Sequence, residues 1–150
     1  MSFRYLVPES LITDLFREVN DNLPGIINGW IWAERKENFA IVKGFQVIPS
    51  KTKVLEHIRP KSWMRRKKNK IFTMRKMKKD LNMDIVWEFH SHPDGNENLH
   101  DVDLKILNYL STGVMVIATP TALVGWYYDK RESKKPIIEK MVFETIADQA

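Results

Sequence analysis

A domain of mixed α and β structure is what this sequence predicts, and three observations predict it. Two stretches space their apolar residues at helical intervals. Several short runs are rich in β-branched and aromatic residues, and no repeat, low-complexity linker or composition break divides them. The 150 residues suffice for one ordinary core, and 43% hydrophobic with 29% charged residues is the balance of a globular chain. No apolar run approaches the ~18 residues of a membrane span. Met1-Ser2-Phe3-Arg4 lacks the layout of a secretory signal, so a cytoplasmic protein with no membrane partner is expected. The chain has no cysteine, which excludes disulfides and thiolate metal sites and leaves histidine and carboxylate as ligands.

Taken in order, Pro8 to Asn20 places Leu11, Ile12, Leu15, Phe16 and Val19 on one helical face. Pro8 or Ser10 opens this helix, and Asn20-Asp21-Asn22-Leu23-Pro24-Gly25 stops it. Gly25 to Glu34 and Phe39 to Pro49 predict a hairpin around Arg35-Lys36-Glu37-Asn38. Gly29 inside its first strand predicts close approach of another backbone or a ligand; Trp30 and Trp32 are read as packing. Ser50 to Pro60 is a polar connection. Ten lysines and arginines follow between Lys61 and Lys79, with Ile71, Met74, Met77 and Leu81 at helical spacing beneath them. Such a run is ordinarily a solvated face. It also suits an acidic protein partner, and more weakly nucleic acid, for which no recognition motif accompanies Trp63 and Phe72.

Residues 84 to 103, D-I-V-W-E-F-H-S-H-P-D-G-N-E-N-L-H-D-V-D, are the stretch that carries chemistry. Ile85 to Phe89 reads as a buried strand, so Glu88, His90 and His92 project from one face. Pro93 ends the strand and Asp94-Gly95-Asn96 turns the chain. Asp103 then falls at the start of a helix expected over Asp101 to Leu110. Two imidazoles two residues apart and one carboxylate meet three corners of a zinc tetrahedron and leave the fourth for water. Ser91 points the other way and is read as packing. Gly113 to Ala118 is a continuous apolar run typical of a strand buried on both faces; Ala122 to Tyr128 and Ile137 to Phe143 supply two more.

The pattern His90-Ser91-His92-Pro93, then Asp103, resembles the JAMM (JAB/MPN) metalloprotease motif H-x-H-x7-S-x-x-D, with every spacing kept. Glu88 to Pro93 also looks like the G-E-W-H-T-H-P of the prokaryotic JAB branch. The resemblance covers most of the chain, from about Pro8 to Phe143, although its specific residues are few. It implies a JAMM/MPN-type mixed β-sheet flanked by helices, cytidine-deaminase-like. It also implies Zn2+ on His90, His92 and Asp103, and hydrolysis of ubiquitin-like protein conjugates or precursors.

Two motif positions depart from the family. Its general base is a glutamate in patterns resembling E-x-x-G-x-x-x-G. Gly25 and Gly29 match those glycines and set Asn22 on the glutamate, where an amide has no proton to exchange near neutral pH. A slipped register offers Asp21 instead. His100 stands where the family has its oxyanion-stabilising serine; it could donate the same hydrogen bond, relay a proton, ligate the metal, or be a plain loop residue. Glu88, ~6.6 Å along the strand from His90, reaches the water or orients a ligand from behind. The expectation is therefore a zinc isopeptidase using Asn22, Glu88 or His100 for proton transfer, with a catalytically impaired metal-binding scaffold as the alternative.

Overall fold

Residues 3–48, 72–107, 112–131 and 135–148 are described by the computed structural model, and seven of their segments form one closed barrel. The strands are β1 (Arg4–Pro8), β2 (Asn28–Arg35), β3 (Phe39–Ile48), β4 (Ile85–Ser91), β5 (Thr112–Ala118), β6 (Leu123–Asp129) and β7 (Ile137–Ile146). Helix α1 spans Glu9–Asp21, residues 72–81 form α2, and α3 spans Asp101–Leu107. Around the barrel the order is β1-β3-β2-β4-β5-β6-β7, and β7 returns to β1.

This corrects the expected helix-flanked JAMM/MPN-type sheet: the sheet closes on itself and the helices are few. The cause is β1, which apolar spacing did not reveal. Its residues Arg4 to Leu6 pair in parallel with Phe39 to Ile41 on one side, and Tyr5 to Pro8 pair in parallel with Phe143 to Ile146 on the other. A strand with partners on both sides removes the two edges that an open sheet would carry. Outside the seam, Arg4 Nε meets Glu144 Oε2 at 2.8 Å.

The expected elements otherwise stand where the periodicity puts them. In α1, Ile12, Leu15 and Val19 are the buried stripe, with Glu9 in the first turn near the positive end of the helix dipole. That stripe joins Val7, Ile27, Ile31, Phe89, Val116 and Phe143 in one core cluster. The hairpin β2–β3 is antiparallel, with a register shift between Trp32 and Ala33. Gly29 is required there: a Cβ would lie 1.9 Å from the Gln46 carbonyl oxygen and 2.9 Å from a Phe89 ring carbon, so the backbone of β3 and the ring behind it leave no room for a side chain. In α2, Met74, Met77 and Leu81 are half-buried while Arg75, Lys76, Lys78 and Lys79 are exposed, so the second half of the basic stretch is an amphipathic helix. The Ser50–Pro60 connection, Trp63 and the basic residues up to Lys70 lie outside the described residues. Among those described, no helix is long and apolar enough to cross a membrane.

Candidate metal centre

The centre lies where β4 ends and α3 begins, and backbone hydrogen bonds fix each contributor. Strand β4 lies antiparallel to β2 and parallel to β5, with Asn28 opposite His90 on one side and Ile117 opposite it on the other. Beyond the strand, the His92 N–H donates to the Ala118 carbonyl at 2.9 Å, which carries the parallel pairing one residue further. Ser91 is not mere packing. Fully buried, its N–H donates to the Ile27 carbonyl and its Oγ accepts the Ile27 N–H, both at 2.8 Å. The hydroxyl thereby clamps the approach to β2 onto the strand that carries the histidines.

The turn after Pro93 is held by its own side chains. Asp94 Oδ1 accepts the Asn96 N–H at 3.0 Å, Asn96 Oδ1 accepts the Asn98 N–H at 2.9 Å, and Gly95 adopts a φ of 82°. Trp126 Nε1 donates to the Glu97 carbonyl at 2.9 Å and ties the loop to β6. Asp103, the third residue of α3, reaches back so that its Oδ2 accepts the His100 N–H at 2.8 Å, the reciprocal half of a capping box. The Leu104 N–H completes that first turn by donating to the His100 carbonyl at 3.1 Å.

These elements bring the three expected ligands together. His90 Nε2 lies 3.0 Å from Asp103 Oδ1, His92 Nε2 lies 3.1 Å from Asp103 Oδ2, and the two Nε2 atoms are 3.1 Å apart. A tetrahedral ion with bonds of ~2.0–2.1 Å holds its donors about 3.3 Å from one another, so this triangle fits one such ion. His92 and Asp103 are 0% and 1% exposed. His92 Nδ1 donates to the Asn96 carbonyl at 2.8 Å, which holds the ring with Nε2 turned toward the cluster. Burial pushes the Asp103 carboxyl up, but hydrogen bonds from His90, His92 and the His100 backbone outweigh it and hold the group well below the usual carboxylate range. A buried anion facing two imidazole nitrogens has the donor chemistry of a divalent-cation site; the particular metal is not fixed by it.

The remaining candidates fall in different places. The His100 ring lies against His92 at a tilt of 43°, centroids 4.0 Å apart, and its buried Nε2 lies 3.4 Å from Asp94 Oδ2 without hydrogen-bond geometry. His92, Asp94 and His100 thus form a second group able to hold an ion, contiguous with the first. Glu88 sits half-buried on β4 opposite Trp30 and belongs to neither group. Asn22 is exposed at the end of α1, where its Nδ2 donates to the Glu18 carbonyl at 2.8 Å. The glycine register that assigned it to the base position is thus answered by a helix cap, and Asp21 beside it is exposed too. Asn28 escaped the sequence reading. It lies across from His90, and its Oδ1 is buried with no hydrogen-bond partner. The available signal was a lone amide inside the apolar run Ile26-Ile27-Asn28-Gly29-Trp30-Ile31.

No protein-family profile matches the chain, and no curated protein does. Among solved structures, the fold is similar to the solution structure of protein DSY2949 from Desulfitobacterium hafniense. The TM-score is 0.63 at 11% identity, over 96% of this chain and 94% of that one. At that identity the likeness speaks to the fold alone.

Proposed function

We propose that this protein is a zinc-dependent metallopeptidase or isopeptidase of the kind its H-x-H-x10-D spacing resembles, acting on conjugates or precursors of ubiquitin-like proteins. The observation that supports this reading is the convergence of His90 Nε2, His92 Nε2 and the Asp103 carboxylate within 3.0–3.1 Å. A bound Zn2+ supplies Lewis acidity, polarising a carbonyl and lowering the pKa of water. The chain's own residues do the rest. Asp103 brings the negative charge, its carboxyl held below the usual range by His90, His92 and the His100 N–H. His92 is held in one tautomer by the Asn96 carbonyl. The Ser91 clamp fixes the strand end from which both imidazoles project. Proton transfer falls to Glu88 or His100, since the Asn22 amide is committed to α1.

That commitment also favours a second reading, a metal-holding scaffold with impaired catalysis. Metal analysis separates the readings. About one Zn2+ per chain, lost in His92→Ala and Asp103→Ala, together with chelator-sensitive cleavage of a ubiquitin-like conjugate, is expected for the hydrolase. One Zn2+ per chain with no cleavage of conjugates or precursors would leave the scaffold. No Zn2+ after reconstitution would end both.

A further inference from the structure

We propose that Asn28 is the positioning residue for His90: its Oδ1 accepts the His90 Nδ1–H and so fixes the tautomer in which Nε2 faces the metal. The inference rests on the reading of His90, His92 and Asp103 as a metal site, and adds to it a residue outside the ligand set.

Four observations lead there. Asn28 and His90 are direct partners in the antiparallel β2–β4 ladder, so their side chains leave the same face of the sheet. The next pair along is the hydrogen-bonded one, since Ser91 N–H donates to Ile27 O and Ile27 N–H donates to Ser91 Oγ. Ladder alternation therefore makes Asn28–His90 a non-hydrogen-bonded pair, the kind with Cα atoms only ~4.5 Å apart and side chains closest. Third, Asn28 Oδ1 is buried and accepts no hydrogen bond; a buried acceptor in that condition is a place prepared for a donor. Fourth, the polar contacts of His90 among the described residues run through Nε2, to His92 and Asp103. A neutral imidazole that ligates through Nε2 carries its proton on Nδ1, and that proton needs an acceptor. One side chain lacks a donor and its cross-strand neighbour must present one.

His92 shows the finished form of the same device. Its Nδ1–H donates to the Asn96 carbonyl at 2.8 Å while Nε2 faces the cluster. The two imidazoles are thus oriented by different means: His92 by a backbone carbonyl of the turn that follows it, His90 by a side-chain amide on the neighbouring strand. A turn of the Asn28 amide or of the His90 ring completes the second contact when Nε2 is drawn onto a cation.

The test compares wild type, Asn28→Leu (similar size, no acceptor), Asn28→Asp (a stronger acceptor) and His92→Ala. Zn2+ affinity is measured by competition with a chromophoric chelator. Ring tautomers are read by 1H–15N NMR of 15N-histidine-labelled protein with Zn2+. Asn28→Leu should bind Zn2+ about 10–100-fold more weakly, and Asn28→Asp should match or exceed wild type. In wild type, His90 should show a slowly exchanging Nδ1–H that Asn28→Leu loses. Affinity of Asn28→Leu within twofold of wild type would overturn the proposal, as would an Asn28→Asp no better than Asn28→Leu. Should Asn28→Leu fail to fold, a rapidly exchanging His90 Nδ1–H in zinc-bound wild type alone would overturn it. Wild type that takes up Zn2+ while His92→Ala does not, with Asn28→Leu unaffected, removes this proposal only; wild type that takes up none removes the metal site with it.

Discussion

Two carboxylates in this molecule are held well below the usual range, by opposite means. Asp129, at the end of β6, has its countercharge two residues away: Arg131 donates from its backbone, Nε and Nη2 at 2.9, 3.1 and 2.9 Å, and the Tyr127 hydroxyl donates at 2.9 Å. Asp103 is instead held by two imidazoles and one backbone N–H. The first group is complete as it stands, and half of its partner's side chain lies in water. The second is a buried anion whose side-chain partners are two imidazoles, His90 and His92. Both carboxyls are thus depressed, one by a guanidinium in its own turn and the other among the side chains of a candidate cation site.

The largest effect should come from adding the cation. Zn2+ at about a thousand times its dissociation constant should stabilise the fold by ~4 kcal/mol, read as a rise in thermal midpoint. His92→Ala and Asp103→Ala should lose that gain, and Asp129→Ala should keep it. An equal gain in all three would erase the contrast between the two carboxylates. Next in size is Ser91→Ala, which strands the buried Ile27 N–H. A loss of ~1–3 kcal/mol in denaturant titration is expected, and a silent Ser91→Ala would show that the clamp is not what holds the strand end. Similar in size, Asp103→Asn without metal should cost ~1–3 kcal/mol near neutral pH, because the anion that His90, His92 and the His100 N–H hold in the folded state is lost. Stability equal to that of metal-free wild type would mean that those contacts do not hold the carboxylate.

The smallest effect is acid-dependent and belongs to Asp129. Its folded pKa is depressed, so its contribution to stability is present above the ordinary aspartate value of about 3.9 and lost as pH falls through the lowered one. Asp129→Asn should lower the thermal midpoint in the neutral range and flatten its decline below about pH 4, where wild type loses the same contribution. An unaltered acid limb would show that the Arg131 pair is not coupled to folding.

Legibility in the sequence followed the range of the interactions. His90, His92 and Asp103 could be read because a strand of period two and a helix start place them by local rules. The α1 stripe and the apolar run of β5 are equally local. The role of β1 could not be read, since five residues show little periodicity and its partners lie in β3 and β7. Asn22 was assigned on two matching glycines, and the structure gives its amide a local partner that such spacing does not show, the Glu18 carbonyl of its own helix. Asn28 carried only a faint sign, because its interest lies in a cross-strand register that no single segment contains.

The parallel seam of β1 with β7 has a consequence for how the chain is made. Strand β1 can meet β3 early in synthesis, but its other side waits for Phe143 to Ile146, almost the whole chain later. Until then the growing sheet carries an open side that could pair with a neighbouring nascent chain. At five residues, ending in Pro8, that side offers a poor template for such pairing, so the strand that completes the barrel also limits the hazard of leaving it unfinished.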